Sequence, residues 1–164
     1  MRTLFSDVSV DVRAGEKIGL VGRNGHGKTT LFRIIVGEEE PNKGKVFRPK
    51  NYTIGYLGQH LNFTKPTVLE EGCVGLGSED IGNEWKVEKI LSGLGFREED
   101  LYQKPSELSG GFQMRIALTK ALVSEPNMLL LDEPTNFLDI VSIRWLEKFL
   151  RSWKNELIMI SHDR

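Results

Sequence analysis

Four consecutive apolar residues, Met128-Leu129-Leu130-Leu131, run directly into two acids, Asp132 and Glu133. A strand with one wet face alternates apolar and polar side chains. This run does not alternate, so both of its faces must be covered. Sheets covered on both faces are largely parallel, because the helices that carry the chain from one parallel strand to the next do the covering. Lys17-Ile18-Gly19-Leu20-Val21 reads in the same way, as a central strand. Leu157–Ile160 is a further buried strand and Tyr52–Leu57 a short one. Asp7–Val12 differs: Val8, Val10 and Val12 alternate with polar residues, the pattern of a half-buried strand.

Helical spacing fills the intervals. Leu31, Ile34 and Ile35 place a helix over Lys28–Val36, ended by Gly37. Short helices are expected over Val68–Gly72 and over Glu84–Leu94, the latter with Val87, Ile90, Leu91 and Leu94 on one face. Another runs from Gly111 to about Val123, where Pro126 limits it. The last spans Ser142 to Trp153, with Ile143, Leu146, Leu150 and Trp153 in one stripe. Apolar strands alternating with helices define an α/β fold with a largely parallel sheet. Ligands of such folds bind at the carboxyl ends of the strands. The Gly-rich loop from Gly22, Gln59, Asp132-Glu133 and Ser161-His162 each follow a predicted strand, so four motifs are expected to converge on one edge of the sheet.

The chemistry of these motifs is specific to different degrees. Gly22-Arg23-Asn24-Gly25-His26-Gly27-Lys28-Thr29, followed by Thr30, has the spacing of a phosphate-binding loop. Its glycines let backbone N–H groups turn inward around phosphate oxygens, and the helix that follows adds the positive end of its dipole. A Gly-rich turn with an accidental lysine is the plainer alternative; the strand before and the helix after argue against it. Adjacent acids ending a buried strand are not explained by packing, since charges are rarely buried unpaired. Asp132 suits a divalent cation held through water, and Glu133 suits a general base acting on water; the alternative is a pair of solvated strand-end acids. Read alone, Gln59 is a surface amide, His162 a structural histidine, and Ser109-Gly110-Gly111 a helix cap with a flexible turn. Position at strand ends is what gives Gln59 and His162 weight.

In their order along the chain these segments resemble the ATP-binding cassette (ABC) ATPases. Gly22–Thr29 resembles the Walker A motif, Gln59 the Q-loop glutamine, Leu108–Gln113 the ABC signature, Met128–Glu133 Walker B, Pro134–Asp139 the lead into the D-loop, and Ser161-His162-Asp163 the H-loop. The resemblance spans nearly the whole chain. It implies a P-loop ATPase core with a short helical subdomain, and ATP and Mg²⁺ as cofactors. Gly22 through Thr30 would hold the nucleotide, with Lys28 on the β- and γ-phosphates. Thr29, Gln59 and Asp132 would serve the metal, and Glu133, Gln59 and His162 the reaction. Ser109, Gly110 and Gly111 would close over ATP held by a second cassette, so turnover is expected only with a partner. Asp132-Glu133-Pro134-Thr135-Asn136-Phe137-Leu138-Asp139 with Ser161-His162-Asp163-Arg164 is similar to the ABC-F proteins, tandem ATPases of which many act on the ribosome. Ser109–Arg115 looks most like the first of their two cassettes. Members usually carry His where this chain has Phe137.

Composition adds limits. The 164 residues suffice for one domain, with a formal net charge of −1 that gives no global reason to expect nucleic acid or an anionic membrane. No apolar run approaches the ~18 residues of a membrane span, and the single cysteine, Cys73, rules out an internal disulfide and suits a reducing compartment. A cytoplasmic address is expected. The resemblance divides the chain into a core of 1–59 and 125–164 and a helical part of about 60–124, truncated at both ends. Thr3-Leu4-Phe5 resembles the sequence just after the family's adenine-stacking aromatic, which is therefore expected to be missing. Gly72–Gly82 holds no basic run, so the long RNA-reaching arm of many ABC-F first cassettes is expected to be absent. Arg144, Lys148 and Arg151 form a basic stripe that reads first as a solvated helix face. Two other functions remain open: the ATPase subunit of a membrane transporter, and a non-catalytic nucleotide-binding fragment.

Overall fold

A computed structural model describes residues 3–23, 25–58 and 61–161 of the chain. Four parallel strands, β1 (Lys17–Val21), β2 (Ile54–Leu57), β3 (Met128–Asp132) and β4 (Glu156–Ser161), form one sheet in the order β1-β4-β3-β2. The strand with no polar alternation, β3, lies between two neighbours, and Leu129, Leu130 and Leu131 are each 0% exposed. Successive side chains point to opposite faces. Leu130 therefore packs with Met128, Ile158 and Ile160 against Phe32 of α1 (Lys28–Val36). Leu129, Leu131 and Leu157 face the opposite layer, built from α2 (Val68–Cys73), α3 (Glu84–Gly93), α4 (Gly110–Val123) and α5 (Ile140–Arg151).

Two strand expectations are corrected. Lys17–Val21 is not a central strand buried on both faces. Among the described residues β1 pairs with β4 alone, Ile18 and Leu20 are half-buried toward α1, and Lys17, Gly19 and Val21 are exposed. Lys17 turns its ammonium to the last carbonyls of α5, donating to Leu150 O at 2.8 Å and Arg151 O at 3.3 Å, where a cation complements the negative end of the helix. Asp7–Val12 forms no strand: Val8 and Val10 are 61% and 65% exposed and Asp7 has a φ of 54°. Alternation alone does not make a strand without a partner to take its backbone hydrogen bonds.

Helix starts follow their caps. The Asp139 carboxylate accepts from Val141 N at 3.1 Å and Ser142 N at 2.9 Å, so α5 begins two residues ahead of the predicted Ser142; such a cap stabilises by ~1 kcal/mol. Ser109 caps α4, whose first residue is Gly110. The helical layer is tied together by Glu71 of α2, which is fully buried. One of its oxygens pairs with the Lys120 ammonium of α4, and the other accepts from Thr64 N at 2.7 Å and Lys65 N at 2.8 Å. Burial works against its charge, but Lys120 and the two amides outweigh it and hold the carboxyl below its ordinary value. Gly93 of α3 lies against the indole of Trp145 on α5, where a Cβ would overlap the ring.

Cys73 is half-buried, and burial, reinforced by Glu84, Glu88 and Glu70, raises its thiol above the usual value; a thiol so placed is a poor nucleophile. Arg144, Lys148 and Arg151 are all exposed, as a solvated helix face requires. Among the described residues no helix is long and apolar enough to cross a membrane.

Candidate functional site

The carboxyl ends of β1 and β3 bring two of the predicted motifs into contact. From β1 the chain turns through Gly22 into a loop in which Gly25 and Gly27 have φ of 75° and 85°. These are left-handed conformations that cost a side-chain-bearing residue ~1–2 kcal/mol. The turn delivers Lys28 and Thr29 to the first turn of α1. Lys28 is 9% exposed, and its ammonium donates to Gly22 O at 2.6 Å and Arg23 O at 3.0 Å, folding the side chain over its own loop. Thr29 donates its hydroxyl to Asp132 Oδ2 at 2.6 Å, bridging α1 to the end of β3. A charge-assisted bond of this kind contributes ~1.5–3 kcal/mol.

Glu133 follows in a left-handed conformation, φ 50° and ψ 53°, which is uncommon for a residue with a long side chain. Its N–H donates to Ile160 O of β4 at 3.0 Å, and its carboxylate accepts from the Asn136 amide at 2.7 Å. The 3₁₀ turn Pro134–Phe137 then leads to Asp139. Burial raises the Tyr56 phenol of β2 above its ordinary value, and the Asp132 carboxylate adds to the effect.

Two cavities open on the loop. One of about 310 Å³ is lined by Phe5, Val21, Gly22, His26 and Lys28 among others, and one of about 220 Å³ by Gly25, Gly27, Lys28, Thr29, Thr30 and Glu133 with Leu4. Between them they collect every described residue of the predicted loop except Arg23. Phe5, which the resemblance places just after the adenine-stacking position and does not favour as its substitute, stands beside the phosphate loop: its ring would lie 3.1 Å from a Cβ at Gly27. Asn24, Gln59 and His162, three of the expected site residues, lie outside the described residues. Ser109, Gly110 and Gly111 are at the start of α4, where first-turn amides have no carbonyl upstream within the helix. Ser109 and Gly110 are exposed, and Gly111 is 3.9 Å, measured from its would-be Cβ, from Phe137 O.

Among the described residues no group of three or more His, Cys, Asp or Glu could by itself hold a metal ion. The Thr29 hydroxyl and the Asp132 carboxylate, 2.6 Å apart, are hard oxygen donors. They fit Mg²⁺, which takes few protein ligands and fills its octahedron with phosphate oxygens and water.

A parallel sheet whose first strand opens into a Gly-rich loop and helix, with the lysine and threonine of that loop against an acid at the end of a buried strand, defines a P-loop nucleotide-binding domain. The family model described as ABC transporter matches residues 5–136, and the chain belongs to that family of ATPases. It is 36% identical over 206 residues to ABC transporter F family member 5 of Arabidopsis thaliana, with 99% of this chain and 30% of that protein covered. It is 34% identical over 166 residues to ATP-binding protein Uup of Buchnera aphidicola, covering 99% of this chain and 28% of that one. The chain thus spans about a third of the length of the curated relatives it matches. Among solved structures, the dimeric MJ0796, a bacterial ABC transporter cassette, superposes with a TM-score of 0.78 at 24% identity, covering 98% of this chain and 80% of that one. The archaeal ribosome recycling factor aABCE1, in complex with ribosomal stalk protein aP1, gives 0.75 at 29% identity, covering 93% and 30%. The likeness to ABC-F relatives and the cassette fold are as the motifs led one to expect.

Proposed function

We propose that the chain is an ABC-F-type cassette that binds Mg-ATP and hydrolyses it at a composite site shared with a second cassette, in a ribosome-associated task in the cytoplasm. The observation that carries this reading is the 2.6 Å bond from Thr29 to Asp132, which joins the phosphate loop to the acid at the end of β3 as a Mg-nucleotide site needs. Lys28 exchanges its loop carbonyls for β- and γ-phosphate oxygens. The backbone amides of Gly25 to Thr29 and the positive end of α1 would hold the remaining charge. Thr29 and Asp132, with Gln59, would hold the metal, which when bound would neutralise charge developing on the phosphates. Glu133 takes a proton from the attacking water, and His162 orients the γ-phosphate.

Ser109, Gly110 and Gly111 present the open start of α4 to nucleotide on the partner cassette, an anion site of the ordinary helix N-terminal kind. The dimeric form of MJ0796 supports a partner of this sort. The ABC-F relatives and the likeness to aABCE1 support the ribosomal direction. The division into a core of 1–59 and 125–164 and a helical part of about 60–124 belongs to the same proposal. Equilibrium binding of Mg-ATP to the purified chain, beside Lys28→Ala, is the first test. Binding lost in Lys28→Ala is expected. A folded chain that binds no ATP, or binds it equally without Lys28, overturns the reading.

A further inference from the structure

Of the two charged side chains of the signature helix α4, Lys120 pairs with Glu71 and only Arg115 is itself buried. Met114, Ile116, Ala117 and Leu118 make an apolar run around Arg115, which is itself only 8% exposed. Its guanidinium binds three groups on two segments. Nη1 donates to Leu94 O at the end of α3 at 2.8 Å, Nε to Phe137 O at 2.9 Å, and Nη2 pairs with the Asp139 carboxylate at 3.2 Å. Its Cζ stacks 4.7 Å from the ring centroid of Phe112, three residues nearer the start of the same helix. Gly95, at φ +89°, leaves the room it needs: a Cβ there would be 2.8 Å from Nη1.

Phe137 and Asp139 close the segment that begins at the two acids. At its other end Thr29 bonds to Asp132, and Asn136 holds the Glu133 carboxylate within it. Hydrogen bonds alternating with covalent links of the chain therefore lead from the phosphate loop, through residues 132–139, to Arg115, which stacks on Phe112 in the first turn of α4. We propose that Arg115 is a positioning residue that couples nucleotide occupancy at Lys28 and Thr29 to the conformation of Ser109–Gln113 in the same chain. The proposal rests on the reading of residues 22–30 as an ATP site. Coupling requires that the connecting element respond to both ends. A planar guanidinium that engages two points of one loop in fixed geometry can transmit a shift of that loop, whereas a lysine ammonium, a single point charge on a flexible stem, cannot hold both.

The test is amide hydrogen exchange of Ser109–Gln113 in the full chain, with and without saturating Mg-ATP, for the wild type and Arg115→Lys. Near-ultraviolet circular dichroism verifies folding of each variant. In the wild type, ATP changes exchange in this segment by about fivefold or more, a typical coupling strength. Arg115→Lys keeps the ATP affinity and loses the change. Asp139→Asn, which retains a capping oxygen while removing the charge partner of Arg115, loses it in part and decides the matter if Arg115→Lys does not fold. Retention of the full change in a folded variant overturns the proposal, as does a wild type that binds ATP without any change at Ser109–Gln113. A wild type that binds no ATP overturns the nucleotide reading and this coupling with it.

Discussion

Replacing Glu71 by Gln tests how the helical layer is held onto the core. The side chain keeps its shape but loses its charge, and the new amide turns a donor toward the Lys120 ammonium. Three hydrogen bonds now served by an ionised carboxylate, from Lys120, Thr64 N and Lys65 N, become neutral or repulsive. Bonds to a charged group contribute ~1.5–3 kcal/mol and neutral ones ~1 kcal/mol, so each loses about 1 kcal/mol and the total is about 3 kcal/mol. That is at the low end for breaking a buried pair, ~3–5 kcal/mol, as it should be with Lys120 still 27% exposed. For a domain of this size the melting temperature should fall by ~6–12 °C. Denaturant and thermal unfolding by circular dichroism measure both quantities. The pH dependence supplies a second arm. The Glu71 carboxyl lies below its ordinary value in the folded chain, so its contribution is complete above the unfolded value of ~4.3 and is lost as pH falls through the depressed folded one. The gap between wild type and variant should therefore narrow in acid. A gap under about 1 kcal/mol at neutral pH, or one that does not narrow at about pH 3, would refute the reasoning.

Other outcomes follow from contacts already described. Glu133→Gln should keep ATP binding, lower turnover by ~10²–10⁴-fold, and accumulate an ATP-bound dimer on size exclusion; a variant that binds ATP and turns over normally would remove Glu133 as base. Thr29→Val keeps the side-chain shape without the hydroxyl, and should weaken Mg-ATP binding by about tenfold while leaving metal-free ATP binding near its wild-type value in calorimetry. Equal loss with and without Mg²⁺ would count against a metal role. Gly93→Ala forces a methyl into the Trp145 indole; it should destabilise by ~1–3 kcal/mol or more and alter the near-ultraviolet signal of Trp145, and an unchanged melting curve would show that α3 and α5 can separate at no cost.

Elements whose signal is local were legible in the sequence. The helix Lys28–Val36 falls where the apolar spacing and Gly37 put it, and β3 is buried on both faces as its unbroken apolar run requires. The contact between Thr29 and Asp132 joins two motifs expected on the same edge of the sheet, at the carboxyl ends of β1 and β3 with β4 between them. What could not be read depends on which strands are neighbours. Among the described residues Lys17–Val21 has nearly the apolarity of a central strand yet stands at an edge, and Val8, Val10 and Val12 alternate with no strand to pair against. Arg115 was hidden for another reason: its three acceptors, at Leu94, Phe137 and Asp139, come together only when α3, α4 and α5 pack. A charge in the middle of an apolar helical run was the one hint available. Asn136 lies in the 3₁₀ turn after the two acids, and its bond to the Glu133 carboxylate goes with the left-handed backbone of Glu133, which no local pattern announces.

The position of β1 at the rim of the sheet sets a hierarchy of opening. Among the described residues the strand that carries the phosphate loop is fastened through β4 on one side, whereas β3 is fastened on both. Residues 17–30 should therefore be released by a partial unfolding well below the global free energy, exposing them to protease and solvent exchange before β3 yields. A ligand gripping that loop closes this route first. Nucleotide at a hundred times its Kd would add about 2.7 kcal/mol to the cost of opening, slowing exchange of the β1 amides by about a hundredfold, so the segment most easily lost would be the one that occupancy guards.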